Sequence, residues 1–376
     1  EMNFKTSSHK LRWLLSGADL EGRRASRYEK SVSEIERYKP EAVSTSSLVS
    51  LEEQKQLLSY YERTLSKICQ LFRMPRKILA ISLVYFKRFY LKFTVLDHEP
   101  WRIMVTCVYL ACKCENQYIA AEEIAKGVQR DARLVEKIVL GTEMNLLQGL
   151  EFDLQVFTPY SALNGLMYDF DTFAQESFGW DCERAEALAE VLRKKGSESI
   201  DALLFSDAPL MYAPGLLAYA ALEVGTKAIG KEKEVLGKYL SHLQKATGTE
   251  AGKLAETIQE IHKLGQSGSK SLMEESVLKE IDRKLKLCRN PIYDPSSEQY
   301  KKQQAEKQKR KQEAKAAAAA AAGNHLKRAS AAMQDAQALG LGEDLFISPA
   351  GVDQQDSKRR KSKETSSPHQ QPVGMS

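Results

Sequence analysis

Cysteine is scarce in this 376-residue chain: six residues, Cys69, Cys107, Cys112, Cys114, Cys182 and Cys288, scattered along its length. That number and spacing exclude a disulfide-stapled scaffold and point to a reducing compartment. Histidine is equally thin. The six histidines, at 9, 98, 242, 262, 325 and 369, are dispersed, and none has triad partners nearby. Cys112-Lys113-Cys114 with Cys107 forms the one cysteine cluster, and it lacks the second pair that zinc spacing requires. No metal and no cofactor is expected.

Long apolar runs are missing as well. The strongest, residues 103–112, is about half the ~18 residues a membrane span needs. The opening Glu1-Met2-Asn3-Phe4 has neither a basic nor an apolar leader region, so no secretory signal is expected. The chain holds no phosphate-cradling Walker loop, no Gly-x-Gly-x-x-Gly, no His-Glu-x-x-His and no Gly-x-Ser-x-Gly. Glu122-Glu123, the obvious paired carboxylates, sit at a helix start where the dipole accounts for them. An enzyme is not expected.

Positive charge is in excess, but only at one end. Residues 301–376 carry fourteen Lys/Arg against eight Asp/Glu, whereas the first 300 carry forty-one against forty-two. A neutral body argues against a nucleic-acid-binding core. No direct nucleic-acid or membrane partner is expected.

What is abundant is helical periodicity. From residue 51 to 265 helix follows helix, with no sustained period-2 alternation. Ser50 is a suitable N-cap with Glu53 three residues on, the pattern of a capping box. Met74-Pro75 closes that helix and opens a second, 78–91, apolar almost all round; Pro100 opens a third, 103–113, of the same kind. Helices without a polar face must be surrounded, so these two form the centre. Shorter and longer helices are expected at 121–128 and 132–150. Thr158-Pro159 and Pro214 start a second series, in which Thr106 and Cys107 align with Ala220 and Ala221, and Ala111 with Gly225. A repeat of about 100 residues and two unrelated bundles both fit this pattern. An all-α architecture follows either way. At the ends, Leu11, Trp13, Leu14 and Leu15 precede Ser16 and a mixed-charge helix to Tyr38 that looks built to dock. A linker is expected at 265–269, a helix at 272–288, and a solvated single helix at 301–322 before disorder beyond Gly323.

Two charges do not suit a plain core. Glu143 has Val139, Leu140, Leu146 and Leu147 at i±4 and i±3, and Lys113 ends the wholly apolar third helix with its stem expected to pack. Two readings are open. Lys113 complements the helix dipole while Glu143 borders solvent, or both charges flank an apolar patch made for a partner helix.

Met74-Pro75-Arg76, Tyr85-Phe86-Lys87-Arg88-Phe89-Tyr90-Leu91, Leu110-Ala111-Cys112-Lys113, Glu143-Met144-Asn145-Leu146-Leu147 and Leu150-Glu151-Phe152-Asp153-Leu154 resemble, in order and spacing, a cyclin box. The Tyr-Phe-Lys-Arg-Phe-Tyr-Leu run and the flanking elements resemble the H-type cyclins, over residues of about 10–290. The resemblance implies two tandem five-helix cyclin folds with additional N- and C-terminal helices. The segments are then an N-terminal extension with a docking helix (1–50), a first cyclin box (51–155), a second cyclin fold (156–265), a C-terminal helix (266–300), and a charged, Ala-rich tail (301–376). It further implies that Lys113 and Glu143 match the family's kinase-holding pair, and that Leu147, Phe152 and Leu154 match apolar positions of the same interface. The implied partners are a cyclin-dependent kinase, a RING-finger assembly subunit and the core of general transcription factor IIH. The chain would activate the kinase without being one; the kinase's substrates would be other cyclin-dependent kinases and the RNA polymerase II C-terminal repeats. Two features depart from the pattern. Cys114-Glu115-Asn116 stands where an acidic pair often follows the lysine, and no substrate-docking patch is recognisable around 74–79, so no substrate-recruiting role is expected.

In the tail, Lys358, Arg359, Arg360 and Lys361 have nuclear-import character, with a solvated charge run as the plainer reading. A nuclear location is expected. Ser348-Pro349 and Ser367-Pro368 are candidate proline-directed phosphosites. Rival functions are the cyclin of a transcription-elongation kinase, a transcription-factor-B-like protein that binds DNA and polymerase, and a generic helical scaffold. The second calls for a basic body and the third leaves Glu143 among leucines without a reason.

Overall fold

The structure, a computed structural model, describes residues 3–44, 48–128, 131–227, 233–248, 250–268 and 274–338. Lys358–Lys361, Ser348 and Ser367 lie outside the described residues. Two compact units are formed, 1–303 and 304–376. Among the described residues every regular element is a helix, and none is long and apolar enough to cross a membrane.

A 3-10 turn (Phe4–Thr6) leads into α1 (Ser8–Trp13), α2 (Gly17–Tyr38) and α3 (Pro40–Ser44). Five helices follow: α4 (Leu51–Leu71), α5 (Arg76–Lys92), α6 (Pro100–Cys114), α7 (Ala121–Gly127) and α8 (Ala132–Gly149). A second series comprises α9 (Pro159–Phe178), α10 (Cys182–Leu204), the single turn α11 (Ala208–Met211), α12 (Pro214–Lys227), α13 (Lys233–Thr247) and α14 (Ala251–Gly268). The last two are α15 (Glu275–Leu287) and α16 (Glu298–Ala338).

The helix boundaries follow local chemistry. Ser50 and Glu53 form the full capping box of α4, each side chain bonding the other's backbone N–H. Ser16 caps α2 through the Asp19 N–H, and Pro100 occupies the first turn of α6. In α5 every residue from Ile78 to Leu91 is buried, and α5 packs on α4, α6 and α8. In the second series α10 and α12 take the central place, and Ala220 and Ala221 of α12 are as fully buried as Thr106 and Cys107 of α6. Small side chains at both places let neighbouring helices approach closely.

Burial of α5 extends to two cations. Lys87 donates to the Glu62 carboxylate of α4 at 2.8 Å, with both side chains more than nine-tenths buried. Burial nonetheless raises the Glu62 carboxyl above the ordinary carboxylate range. Arg88 is completely buried against the Trp13 ring, 5.0 Å from its centroid.

The N-terminal extension docks on the chain itself. Trp13 and Leu20 pack with Leu91 and Leu210, while Leu11 is left exposed. The extension and the C-terminal segment meet at Asp97, in the loop between α5 and α6. The Asp97 carboxylate accepts from Arg27 at 2.8 Å, from Ser31 at 3.0 Å, from Asn290 at 2.8 Å and from the Thr94 N–H at 2.9 Å. Lys284 of α15 reaches Glu53 at 2.5 Å and Lys39 reaches the Leu287 carbonyl at 2.6 Å.

Two expectations are corrected. The run 265–269 is no linker up to Gly268: α14 continues through it, because Gly265 faces Leu203 so closely that a Cβ there would stand 3.1 Å from a Leu203 methyl. The tail helix does not stop at 322 either. α16 runs through Gly323 to Ala338, since one interior glycine costs only about 1 kcal/mol against the strong helix formers around it.

Candidate kinase-binding site

Lys113 lies in the last turn of α6 and Glu143 in the middle of α8, two helices that pack against each other. The Lys113 ammonium donates to the Glu143 carboxylate at 2.8 Å. That bond, with the carboxylate's charge, holds the Lys113 ammonium above its ordinary range. The lysine side chain is 61% exposed and the glutamate 18%. The Lys113 stem is therefore not packed as expected: α6 ends one residue later, and the side chain crosses open surface to reach its partner.

The apolar quartet around Glu143 divides. Val139 and Leu146 face the core, Leu147 is half-buried against it, and Leu140 is exposed. Glu143 thus stands at the rim of the buried face. Met144 beside it is exposed too. One turn beyond Glu143, the Leu147 carbonyl accepts the Phe152 N–H at 2.9 Å, and the Phe152 carbonyl accepts the Leu154 N–H at 3.0 Å. Of the five residues singled out in the sequence, Glu143 and Leu147 lie one turn apart on α8, and Lys113 reaches Glu143 from α6. Phe152 and Leu154 follow in the loop tied back to Leu147, so the five form an edge that runs from the end of α6 along α8 into that loop. Phe152 is 61% exposed, and Leu154 packs on the core while its carbonyl accepts from the Tyr85 hydroxyl at 2.5 Å.

Glu151 and Phe152 both adopt left-handed backbone, with φ of 54° and 60°. For non-glycine residues this conformation is unfavourable and persists only when neighbours hold it. The neighbours come from the N-terminal extension and from α5. Arg12 donates to Asp153 at 2.8 Å and pairs with Glu151, the Trp13 indole donates to Asp153 at 2.9 Å, and Arg88 donates to the Asp153 carbonyl at 3.3 Å. His9 accepts the Phe157 N–H at 3.1 Å, and burial pushes its pKa down to about 3.

Sequence reading overlooked Leu140, Met144 and Tyr118 as surface groups. Tyr118 is 95% exposed in the loop after α6, and the asparagine two residues before it, a residue type that tolerates the left-handed backbone Asn116 adopts, was the available signal. It also overlooked Arg12, and it named Trp13 as a docking residue without its partner, since the partners of both lie about 140 residues away. A cleft of about 380 Å³ opens elsewhere, between α2, α4, α5 and the 205–207 turn, and none of the five site residues lines it.

As an exposed ion pair, Lys113–Glu143 contributes only ~0–1 kcal/mol to folding. Stability alone therefore gives little reason for a carboxylate among leucines. What the edge presents is one cation, one anion and the exposed side chains of Leu140, Met144 and Phe152, an arrangement suited to a helix with unsatisfied backbone groups and an apolar face.

Residues 27–155 match the family described as cyclin, N-terminal domain. Cyclin-H1-1 of Arabidopsis thaliana is 35% identical over 261 residues, spanning 68% of this chain and 72% of the relative. A chain in the structure of the CAK complex of Chaetomium thermophilum bound to ATP-gamma-S superimposes with a TM-score of 0.63 at 19% identity, over 81% of this chain and 94% of that one. A chain of the yeast TFIIK complex (Kin28/Ccl1/Tfb3) does so with a TM-score of 0.53 at 22% identity, over 70% of this chain and all of that one. At those identities the two structures establish a shared fold. With the helical architecture and the relative's extent, the chain belongs to the cyclin-H family.

Proposed function

We propose that this chain is a non-catalytic regulatory subunit that binds and activates a cyclin-dependent kinase in a kinase-activating complex and in transcription factor IIH. The kinase, not this chain, then phosphorylates other cyclin-dependent kinases and the RNA polymerase II C-terminal repeats. In this reading residues 51–155 are the kinase-binding box, 156–265 a second cyclin fold, and a RING-finger subunit and the factor's core complete the assembly. The observation that carries it is the Lys113–Glu143 pair at 2.8 Å on an edge with exposed Phe152. Membership of the cyclin-H family and the likeness to chains of CAK and TFIIK support it.

Phosphoryl transfer in a protein kinase needs its β3 lysine paired with the glutamate of helix αC. A rigid edge that captures αC shifts the kinase toward that assembled state by its differential affinity for it. On binding, Lys113 exchanges Glu143 for a backbone carbonyl of the captured helix, and Glu143 accepts from backbone N–H groups. Leu147, Phe152 and Leu154 shield these bonds from water.

Lys113→Ala with Glu143→Ala is expected to weaken kinase binding by ~2–5 kcal/mol, roughly 30-fold or more in Kd. Thermal unfolding of the free protein should hardly move, because the pair is exposed. Kinase affinity and activity measured by calorimetry and a phosphorylation assay check this; unchanged affinity in a folded double variant removes these residues from the interface. For location, a fluorescent reporter fused to residues 340–376 is expected to enter the nucleus through Lys358, Arg359, Arg360 and Lys361. A reporter that stays cytoplasmic counts against the import role.

A further inference from the structure

The neutral body leaves the chain's positive excess to the tail, and the structure shows how that charge is displayed. From Lys301 to Lys315, α16 carries seven lysines and arginines against two glutamates, and all nine are exposed. At about 1.5 Å rise per residue this segment is roughly 21 Å long, with one net positive charge per ~4 Å of axis. One strand of duplex DNA carries one phosphate per about 3.4 Å. The helix thus carries a continuous positive charge of the same order as one strand's phosphates, about half the density of the whole duplex.

The charges are also ordered. Glu306 is taken by Arg310 at 2.7 Å and Glu298 by Lys301 at 3.3 Å. Lys307, Lys311 and Lys315 recur every fourth residue and form a row along the helix, with Gln304 and Gln308 beside it. Among the described residues no carboxylate pairs with these three lysines, and all are exposed. The helix stands by propensity, since Ala, Lys, Gln, Glu and Arg dominate it.

Against the expectation of no direct nucleic-acid partner, which rested on the neutral body, we infer that α16 is a DNA-binding element whose Lys307, Lys311 and Lys315 row neutralises phosphates of a duplex, without reading its sequence. The chemistry of the row selects this partner. A membrane-surface helix requires a face of Trp, Phe or Leu, and residues 301–315 contain none. An acidic protein needs buried aromatic or aliphatic anchors for lasting affinity, and the segment offers only alanines. A helix about 10–12 Å across suits the major groove of B-DNA, about 12 Å wide, whereas the corresponding groove of duplex RNA is too deep and narrow. Binding adds a sequence-independent tether.

The test uses the full chain and a fluorescein-labelled duplex of about 20 base pairs, followed by anisotropy from about 50 to about 200 mM KCl. The native chain is expected to bind, with affinity falling steeply as salt rises. Lys307→Gln/Lys311→Gln/Lys315→Gln keeps helix propensity and is expected to lower the slope of log affinity against log salt by about 3. A control with the same charge loss on exposed body residues, Lys10→Gln/Lys30→Gln/Lys67→Gln, should retain the native slope. Absence of binding at about 50 mM salt, equal loss in the control, tighter binding to duplex RNA, or equal binding to polyglutamate or to phosphatidylserine vesicles each overturns the inference.

Discussion

Lys87→Met is expected to destabilise the protein by about 3–5 kcal/mol, because it leaves the Glu62 carboxylate buried and unpaired. The two side chains are only 5% and 8% exposed and bond at 2.8 Å. Both line the cleft of about 380 Å³ between α2, α4 and α5, which admits water and keeps the penalty toward the lower end of that range. Replacing both partners, Lys87→Met with Glu62→Leu, should recover most of the loss, since apolar groups of similar size commonly substitute a buried pair without penalty. The effect has a pH signature. Burial already raises the Glu62 carboxyl above 4.5, and loss of Lys87 raises it further. The folded variant then holds a proton that the unfolded chain releases, so its stability falls as pH climbs above about 4.5. Urea unfolding should show a smaller deficit at about pH 5 than at about pH 8. A deficit under about 1 kcal/mol at either pH would mean that the pair is not buried as described.

Trp13→Ala is expected to remove about 3–5 kcal/mol from the docking of the N-terminal extension. The indole is 2% exposed, donates to Asp153 at 2.9 Å and covers the Arg88 guanidinium. Part of the loss is offset. Among the described residues the Nε and Nη2 of Arg88 have no hydrogen-bond partner, and burial pulls its pKa down to about 10; release of the indole lets water reach these donors. A six-residue helix such as α1 cannot persist alone. The damage should therefore appear as local opening and not as global unfolding. Hydrogen exchange should show the α1 amides and the Phe157 amide losing protection, while α5 and α6 keep theirs. Acid should mimic the variant. Folded His9, with a pKa of about 3, binds a proton less readily than the unfolded chain at 6.5, so docking weakens as pH falls below about 6.5. Full protection of Phe157 in Trp13→Ala would contradict this account of the N-terminal extension.

Much of the architecture was readable because helix ends are local events. Ser16, Ser50 with Glu53, Pro100, Pro159 and Pro214 mark their helices through caps and fixed backbone angles that depend on a few adjacent residues. The all-apolar surfaces of 78–91 and 103–113 likewise required a central position, whatever surrounded them. Where local rules misled, a distant contact or a neighbouring run outweighed them. Gly265 and Gly268 read as a linker until Leu203 fills the space beside Gly265, and Gly323 reads as a stop until the alanines before it and the helix formers after it carry the helix on.

The sequence by itself determined that Glu143 and Lys113 are out of place, one among leucines and one at the end of an apolar helix. It did not determine that they meet, for thirty residues separate them and only the packing of α6 on α8 brings their charges to 2.8 Å. The same holds for Lys87 and Arg88. Periodicity counts apolar residues along one helix, whereas burial of these cations was decided by what stacks on α5, Glu62 of α4 on one and Trp13 of the N-terminal extension on the other. Helix formation follows from short-range backbone bonding, but a charge is buried or bared by groups distant in sequence, and those are set only when the chain has closed on itself.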